Sequence, residues 1–337
     1  MHCAGWYTFF MSKLRVGVLR GGPSSEYDVS LITGGAVLNA IDSDRYVPVD
    51  LLVDRSGVWH VRGREVTIPQ ALRNVDVIFN AMHGEYGEDG TIQKVLNTHH
   101  MPYTGSGALA SAVCMNKLTT KRHVESLAEE IGFKLAPHAI VDADSLYSQD
   151  ITRTFDQFAP TAVIKPLTCG SSVGVTIAYS FPEFKEGVVK ALTHAPKVLI
   201  EKYIAGREAT AGVLEHFRGQ HLYPLLPIEI IPPSKCSFFD YEAKYTSNET
   251  QEICPGNFSS GTKRELERFA QAVHERLGLR HYSRSDFIVA PDGIYFLEVN
   301  TLPGLTPASL IPKALKAVGC SFQEFISHLI GLALHRR

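Results

Sequence analysis

Hydrophobic positions along this chain recur with two periods, and the switches between them divide it into elements. Leu14-Arg15-Val16-Gly17-Val18-Leu19 reads as a short strand. Gly21-Gly22-Pro23-Ser24-Ser25-Glu26 turns out of it into a helix that runs through Leu31 and Ile32 to Leu38 and Ile41. Strands follow at 46–53 and 75–80, and the alternation predicts a mostly parallel α/β sheet up to about Gly107. Helical period resumes over 108–131, with Lys117 inside the helix and Gly132 closing it in the left-handed conformation. Strands at 161–165 and 174–178 come next, joined by the small-residue loop Pro166-Leu167-Thr168-Cys169-Gly170-Ser171-Ser172-Val173, which has the composition to lie over phosphates. A strand over 198–204 completes that block. Beyond Glu208, strands at 209–214 and 222–231 lead into a stretch, 232–261, with little regular pattern, and loops of that length are usually functional or disordered. Its run Phe238-Phe239-Asp240-Tyr241-Glu242-Ala243-Lys244-Tyr245 favours an ordered lid. Thr262-Lys263-Arg264-Glu265 has the form of a capping box, opening a helix with Leu266, Phe269, Ala270, Val273 and Leu277 on one face and Gly278 at its end. Ser321-Phe322-Gln323-Glu324 repeats the box before a terminal helix whose Phe325, Ile326, Leu329 and Ile330 are expected to dock on the core.

The clearest period of two, over 284–300, also carries the clearest chemistry. Apolar runs flank Pro291-Asp292-Gly293, so a hairpin with a three-residue loop is expected, its glycine in the left-handed position. Such a loop pairs Ala290 with Ile294. Continuing the register sets Asp286 opposite Glu298 and Arg284 opposite Asn300, all four on one face, and leaves Phe287, Val289, Leu297 and Val299 for the buried face. Opposed carboxylates destabilise a ladder, so a cation belongs between them, and the oxygen set Asp286, Glu298 and Asn300 suits Mg²⁺ bound to nucleotide phosphates. The structural alternative is a solvated acidic face.

Composition narrows the classes. At 337 residues the chain has room for two or three domains with sizeable cores. A net charge of −2 gives no bulk attraction for nucleic acid or a membrane, so an anionic substrate must be held by local lysines, arginines and amides. The six cysteines are scattered without C-x-x-C spacing, which favours free thiols in a reducing cytoplasm. Residues 1–10 are apolar and aromatic but too short to span a bilayer; they read as an extension outside the fold, with Met11 as the natural start. The glycine turn at 21–26 lacks the G-x-G-x-x-G spacing, which counts against a nicotinamide-dependent oxidoreductase.

Several motifs then point one way: Gly21-Gly22-Pro23-Ser24-Ser25-Glu26, His83-Gly84-Glu85-Tyr86-Gly87-Glu88-Asp89-Gly90, Gly105-Ser106-Gly107, Gly170-Ser171-Ser172-Val173-Gly174, Tyr241-Glu242-Ala243-Lys244-Tyr245 and Leu297-Glu298-Val299-Asn300. In this order and spacing the chain, from about Leu14 to its last helix, resembles the D-alanine-D-alanine ligases of the ATP-grasp superfamily. The resemblance implies an α/β and α+β architecture: an N-terminal Rossmann-like α/β domain at 11–107, then an ATP-grasp fold with a central subdomain at 108–205 and a C-terminal one at 206–337 that carries the lid. It implies ATP-dependent coupling of two D-alanines through an acylphosphate, releasing ADP and phosphate, as a supply step for peptidoglycan. ATP and D-alanine are the expected small-molecule partners, in a cytoplasmic homodimer that engages no nucleic acid or membrane.

By the same resemblance, Asp286, Glu298 and Asn300 hold two Mg²⁺ ions, with Mn²⁺ as the substitute, while Arg284 and the amide of Gly304 face the transferred phosphate and oxyanion. Lys117 and Lys165 reach the nucleotide phosphates, and Lys244 reaches in from the lid. Glu201, Lys202, Tyr203 and Ile204 read adenine largely through backbone groups, Glu208 takes the ribose hydroxyls, and Phe238 and Leu297 add apolar contact. Glu26, Ser171 and Tyr245 form a network near the first D-alanine, which His83 helps to hold. Ser309 and the amide of Leu310 receive the second substrate's carboxylate. Taken alone, each lysine reads as surface charge and His83 as structural. Lys94 and Thr168-Cys169 depart from the family pattern at motif edges, and thiols at Cys169 and Cys254 are expected near the site. The rival readings are a D-alanine-D-serine or other D-alanine-D-X ligase and a nucleotide-binding ATP-grasp protein that has lost catalysis.

Overall fold

The computed structural model describes residues 13–335 except 149, 169, 171–172 and 233–249. Three sheets organise it. In the first, Leu14–Gly21 lies between Tyr46–Val53 and Val77–Asn80, parallel to both, and two short antiparallel strands, Trp59–Val61 and Arg64–Val66, extend the edge beyond the expected elements. The central strand is buried from Val16 to Leu19, as a parallel strand covered on both faces must be. Gly21 leaves it at φ +86°, where a Cβ would sit 2.2 Å from the Val53 carbonyl oxygen. Only glycine makes this turn into the helix Tyr27–Ala40.

The second sheet is antiparallel, in the order His138–Asp142, Lys197–Lys202, Ala162–Pro166, Thr176–Ala178. Helices Asp150–Phe158 and Phe181–Leu192 cover it, and Phe158, Ile164, Phe184, Val188 and Ile200 form a core of its own.

The third sheet has seven strands and is built around the hairpin Tyr282–Ala290 and Gly293–Asn300. Arg207–Glu215 pairs with the first arm and Lys134–Leu135 with the second. Gln251–Ile253 supplies an edge strand from the stretch expected to be irregular, and the run expected over 222–231 is two strands, Leu222–Pro224 and Ile228–Ile231. Helices Ser260–Arg276 and Lys117–Ile131 pack on one face through Leu266, Phe269, Val273, Val124 and Leu127. The terminal helix Phe322–Leu334 buries Phe325, Ile326, Leu329 and Ile330, each contributing about 1.5–3 kcal/mol of transfer free energy. These side chains share one core with Val16, Val18 and Phe79 of the first sheet and Leu214 and Tyr282 of the third. No single helix among the described residues is long and apolar enough to cross a membrane.

Further local expectations need correction. The helix over 108–131 is two helices, Ala108–Met115 and Lys117–Ile131, because Asn116 leaves helical geometry and its side chain accepts a hydrogen bond from the Thr119 amide. Lys117 therefore opens a helix rather than lying inside one. The helix expected to begin at Thr262 is capped earlier, by Ser259, whose hydroxyl accepts from the Thr262 amide. In the hairpin, Ala290 pairs with Gly293, so the loop has two residues, Pro291 and Asp292, and the register is one residue short of that expected. A bulge at Leu297 adds the residue back, and Asp286–Glu298 and Arg284–Asn300 face each other as the alternation required.

Candidate active site

Two cavities meet along the third sheet. The larger, about 390 Å³, runs between the second and third sheets and is lined by Lys117, Lys165, Glu201, Lys202, Tyr203, Ile204, Glu208 and Leu297. The smaller, about 130 Å³, is lined by Glu26, His83, Asn300, Gly304 and Ser309. Arg284, Glu298 and Leu310 line both, and Asp286 faces the larger. Every expected site residue in the described part of the chain thus borders one of two adjoining spaces. Phe238, Lys244, Tyr245 and Ser171 lie outside the described residues, as does Cys169.

The bulge decides what Leu297 does. Ile294, Phe296 and Val299 are buried in the core, which puts one extra residue between the last two and takes Leu297 out of the buried face expected for it. It borders the larger cavity beside Glu298 instead. Opposite, the Asp286 carboxylate accepts from Arg284 Nε and Nη2, both at 2.9 Å, from Thr210 Oγ1 at 2.6 Å and from Asn300 Nδ2 at 3.3 Å. Lys117 Nζ lies 3.5 Å from Glu298 Oε2. The protein's own cations therefore stand against both carboxylates.

Deeper in the larger cavity, Glu201 is enclosed, its side chain 3% exposed, and faces two ammonium groups, Lys121 and Lys165, each at 2.6 Å. Burial alone would raise its pKa, but the charges of Lys165 and Lys121 and their contacts outweigh it and push the carboxyl down to about 2. Lys165 moves the other way: burial opposes its charge, yet Glu201, Glu298 and Glu208 together raise its pKa. Lys121 was missed in the sequence. Its signal was its place four residues after Lys117, which sets both lysines on one helix face.

The smaller cavity gathers loops from the first sheet. His83 Nε2 lies 2.8 Å from Thr33 Oγ1 and Nδ1 lies 3.2 Å from Glu88 Oε1. Burial works against a charged His83, but Glu88 and Glu26 outweigh it and raise its pKa; burial, with Glu26 nearby, raises Glu88 as well. A Cβ on Gly84, at φ +69°, would lie 2.6 Å from Ser24 Oγ, and one on Gly170 would lie 3.0 Å from Glu26 Oε1, so glycine backbone closes on the carboxylate from two sides. Across the cavity, Ser309 precedes the helix Leu310–Ala317, and a Cβ on Gly304 would lie 3.0 Å from Ser309 Oγ. Glu88 and Glu252, the latter ion-paired with Lys313, also line this space and were not singled out by sequence. Lys94, a departure from the family pattern, is exposed on the helix Thr91–Thr98, and the Cys254 thiol, expected near the site, is directed at the Leu226 carbonyl and borders neither cavity.

Residues 127–331 match the model for the D-ala D-ala ligase C-terminus, and residues 15–71 and 63–106 match that for the N-terminus. The D-alanine–D-alanine ligase of Syntrophobacter fumaroxidans is 39% identical over 96% of this chain and 98% of its own length. The chain belongs to the D-alanine–D-alanine ligase family. The ligase is also 39% identical to the Geobacter sulfurreducens enzyme over 95% of this chain and 94% of that one. Its fold superposes on the D-alanine–D-alanine ligase from Bacillus anthracis complexed with ATP at a TM-score of 0.77, with 28% identity over 95% of this chain and 97% of that one. It superposes on the VanG D-Ala:D-Ser ligase from Enterococcus faecalis at 0.80, with 27% identity over 95% and 99%. The fold is therefore shared with a D-alanine–D-alanine ligase and with a D-Ala:D-Ser ligase alike. The match to the C-terminal model spans the stretch holding Tyr245 and Lys244.

Proposed function

We propose that this ligase couples two D-alanine molecules at the expense of ATP, releasing ADP and phosphate, with the nucleotide in the larger cavity and the amino acids in the smaller. The observation that carries the reading is the shared wall: Arg284 and Glu298 border both spaces, so a phosphate delivered from one side meets a carboxylate held on the other. A carboxylate is a poor electrophile until phosphorylated. The amine of the second D-alanine then attacks the acylphosphate, and a tetrahedral intermediate expels phosphate. Negative charge grows on the acyl oxygen, where the Arg284 guanidinium and the Gly304 amide act as fixed donors. Glu26 takes the ammonium of the first D-alanine, with His83 beside it. The start of the helix Leu310–Ala317, with Ser309, receives the second carboxylate.

The chain fits a divalent ion. Among the described residues no cluster of three or more His, Cys, Asp or Glu is built to hold one unaided. Asp286, Glu298 and Asn300 offer two carboxylates and an amide, the incomplete oxygen set with which Mg²⁺ is held jointly by protein and phosphates. Mg²⁺ or Mn²⁺ bound there supplies charge neutralisation at the transferred phosphate. Lys117 and Lys165 supply the rest, Glu208 takes the ribose, and Tyr203, Ile204 and Leu297 flank the adenine. By resemblance the ligase works in the cytoplasm as a homodimer, which light scattering of the purified chain checks.

The decisive experiment measures phosphate release from ATP with D-alanine, L-alanine, D-lactate or D-serine added, and weighs the product by mass spectrometry. D-Alanyl-D-alanine, formed only with D-alanine, is expected. The fold shared with a D-Ala:D-Ser ligase makes the mixed dipeptide the alternative outcome, and turnover indifferent to D-alanine would refute both.

A further inference from the structure

Lys121 is as deeply buried as the apolar core, its side chain 2% exposed, and no step above uses it. Lys165 alone would neutralise Glu201, so a second ammonium against the same carboxylate adds desolvation cost without an evident gain. The two lysines differ in access. Lys165 is 15% exposed and borders the larger cavity, whereas Lys121 stays behind it. If Lys165 left an isolated pair for a phosphate, it would strand a buried, unpaired carboxylate, the strongly destabilising outcome for such pairs. With Lys121 in place the carboxylate keeps a partner, and Lys121, Glu201 and Lys165 together carry one net positive charge, which Glu298 and Glu208 also face.

We propose that Lys121 is a positioning residue, the permanent counterion of Glu201 that frees Lys165 to exchange this carboxylate for a nucleotide phosphate. The inference rests on the reading of the larger cavity as the nucleotide site. With Glu201 held near 2 and Lys165 raised, the exchange is one of ion partners and not of protons.

The test is ADP binding to the full chain by titration calorimetry, with thermal melts alongside. Lys121→Met weakens ADP at least about tenfold, while Lys121→Arg, which keeps the charge, stays within about threefold of wild type. Lys121→Met with Glu201→Gln binds ADP several-fold more tightly than Lys121→Met, because Glu201 then no longer competes for Lys165. Undiminished ADP binding by Lys121→Met overturns the proposal. So does a double variant as weak as Lys121→Met, since the loss would then be structural. Should Lys121→Met not fold, Lys121→Gln carries the test in its place: it removes the charge but keeps a polar side chain, so ADP must weaken at least about tenfold, and undiminished binding overturns the proposal. Failure of the wild type to bind ADP would remove the nucleotide reading itself and this inference with it.

Discussion

Glu298 stands opposite Asp286, 3.5 Å from Lys117 Nζ and on the wall between the two cavities. Glu298→Gln keeps its shape and removes its charge. Turnover is expected to fall roughly a hundredfold or more, because under the proposed function one of the two carboxylates that would hold the divalent ion is lost. The melting temperature should hold, since the side chain is 29% exposed and its surroundings can hydrate. Phosphate-release kinetics and circular dichroism check the pair, and unaltered turnover would take Glu298 out of the metal set. Glu201 gives the pH dependence. Its native carboxyl lies at about 2 against an ordinary 4.5, so between those values the unfolded chain binds more protons and stability rises with pH. The contribution is complete above 4.5 and fades as pH falls toward 2. Urea midpoints measured across this window should drop with acidification in the wild type and drop less steeply in Glu201→Gln, where Glu215, also held at about 2, still contributes; parallel slopes would show that Glu201 carries no linkage. The facing carboxylates were legible in sequence because strand alternation fixes a face. Lys121 was not, because a single lysine on a helix reads as solvated until the fold shows Glu201 opposite.

In the hairpin, two departures from the expected pairing cancel. A three-residue loop without a bulge and a two-residue loop with one extra residue at Leu297 give the same pairing of Asp286 with Glu298. No local pattern distinguishes them. The bulge is set by packing, since Phe296 and Val299 both reach the core while Leu297 must not. Strand existence was readable for the buried parallel runs, whose composition is unambiguous, and unreadable at Trp59–Val61 and Gln251–Ile253, which are three residues each and take their stability from neighbours. The helix break at Asn116 was missed because apolar period continues through it; the cap is a single side-chain hydrogen bond, 3.0 Å long, to the Thr119 amide. Asn116→Ala removes that bond and should cost about 1 kcal/mol by urea denaturation. It should also raise the KM for ATP several-fold, as Lys117, whose amide is tied to the Leu167 carbonyl, loses the geometry that aims its ammonium. A stability loss without any change in KM would separate the cap from the site.

Across the whole molecule, the cores divide unevenly. The first and third sheets share one hydrophobic cluster through the terminal helix Phe322–Leu334, whereas the second sheet and its two helices close around a cluster of their own. A unit with a separate core can open without disturbing the rest, and its opening costs less than global unfolding. In the free protein, backbone amides of Ala162–Pro166 and Lys197–Lys202 should therefore exchange with deuterium faster than those of Val16–Leu19 and the terminal helix. The larger cavity lies between this unit, through Lys165 and Glu201, and the third sheet, through Glu208, Asp286 and Glu298. Under the proposed function a nucleotide needs both walls and does not bind while the unit is open. At a hundredfold excess over its dissociation constant it adds about 2.7 kcal/mol against that opening, which slows exchange about a hundredfold. The slowing should be confined to the second sheet and its helices while the shared core changes little. Uniform protection across all three sheets would mean that the molecule opens as one body, and that the cavity wall formed by the second sheet is no more mobile than the wall it faces.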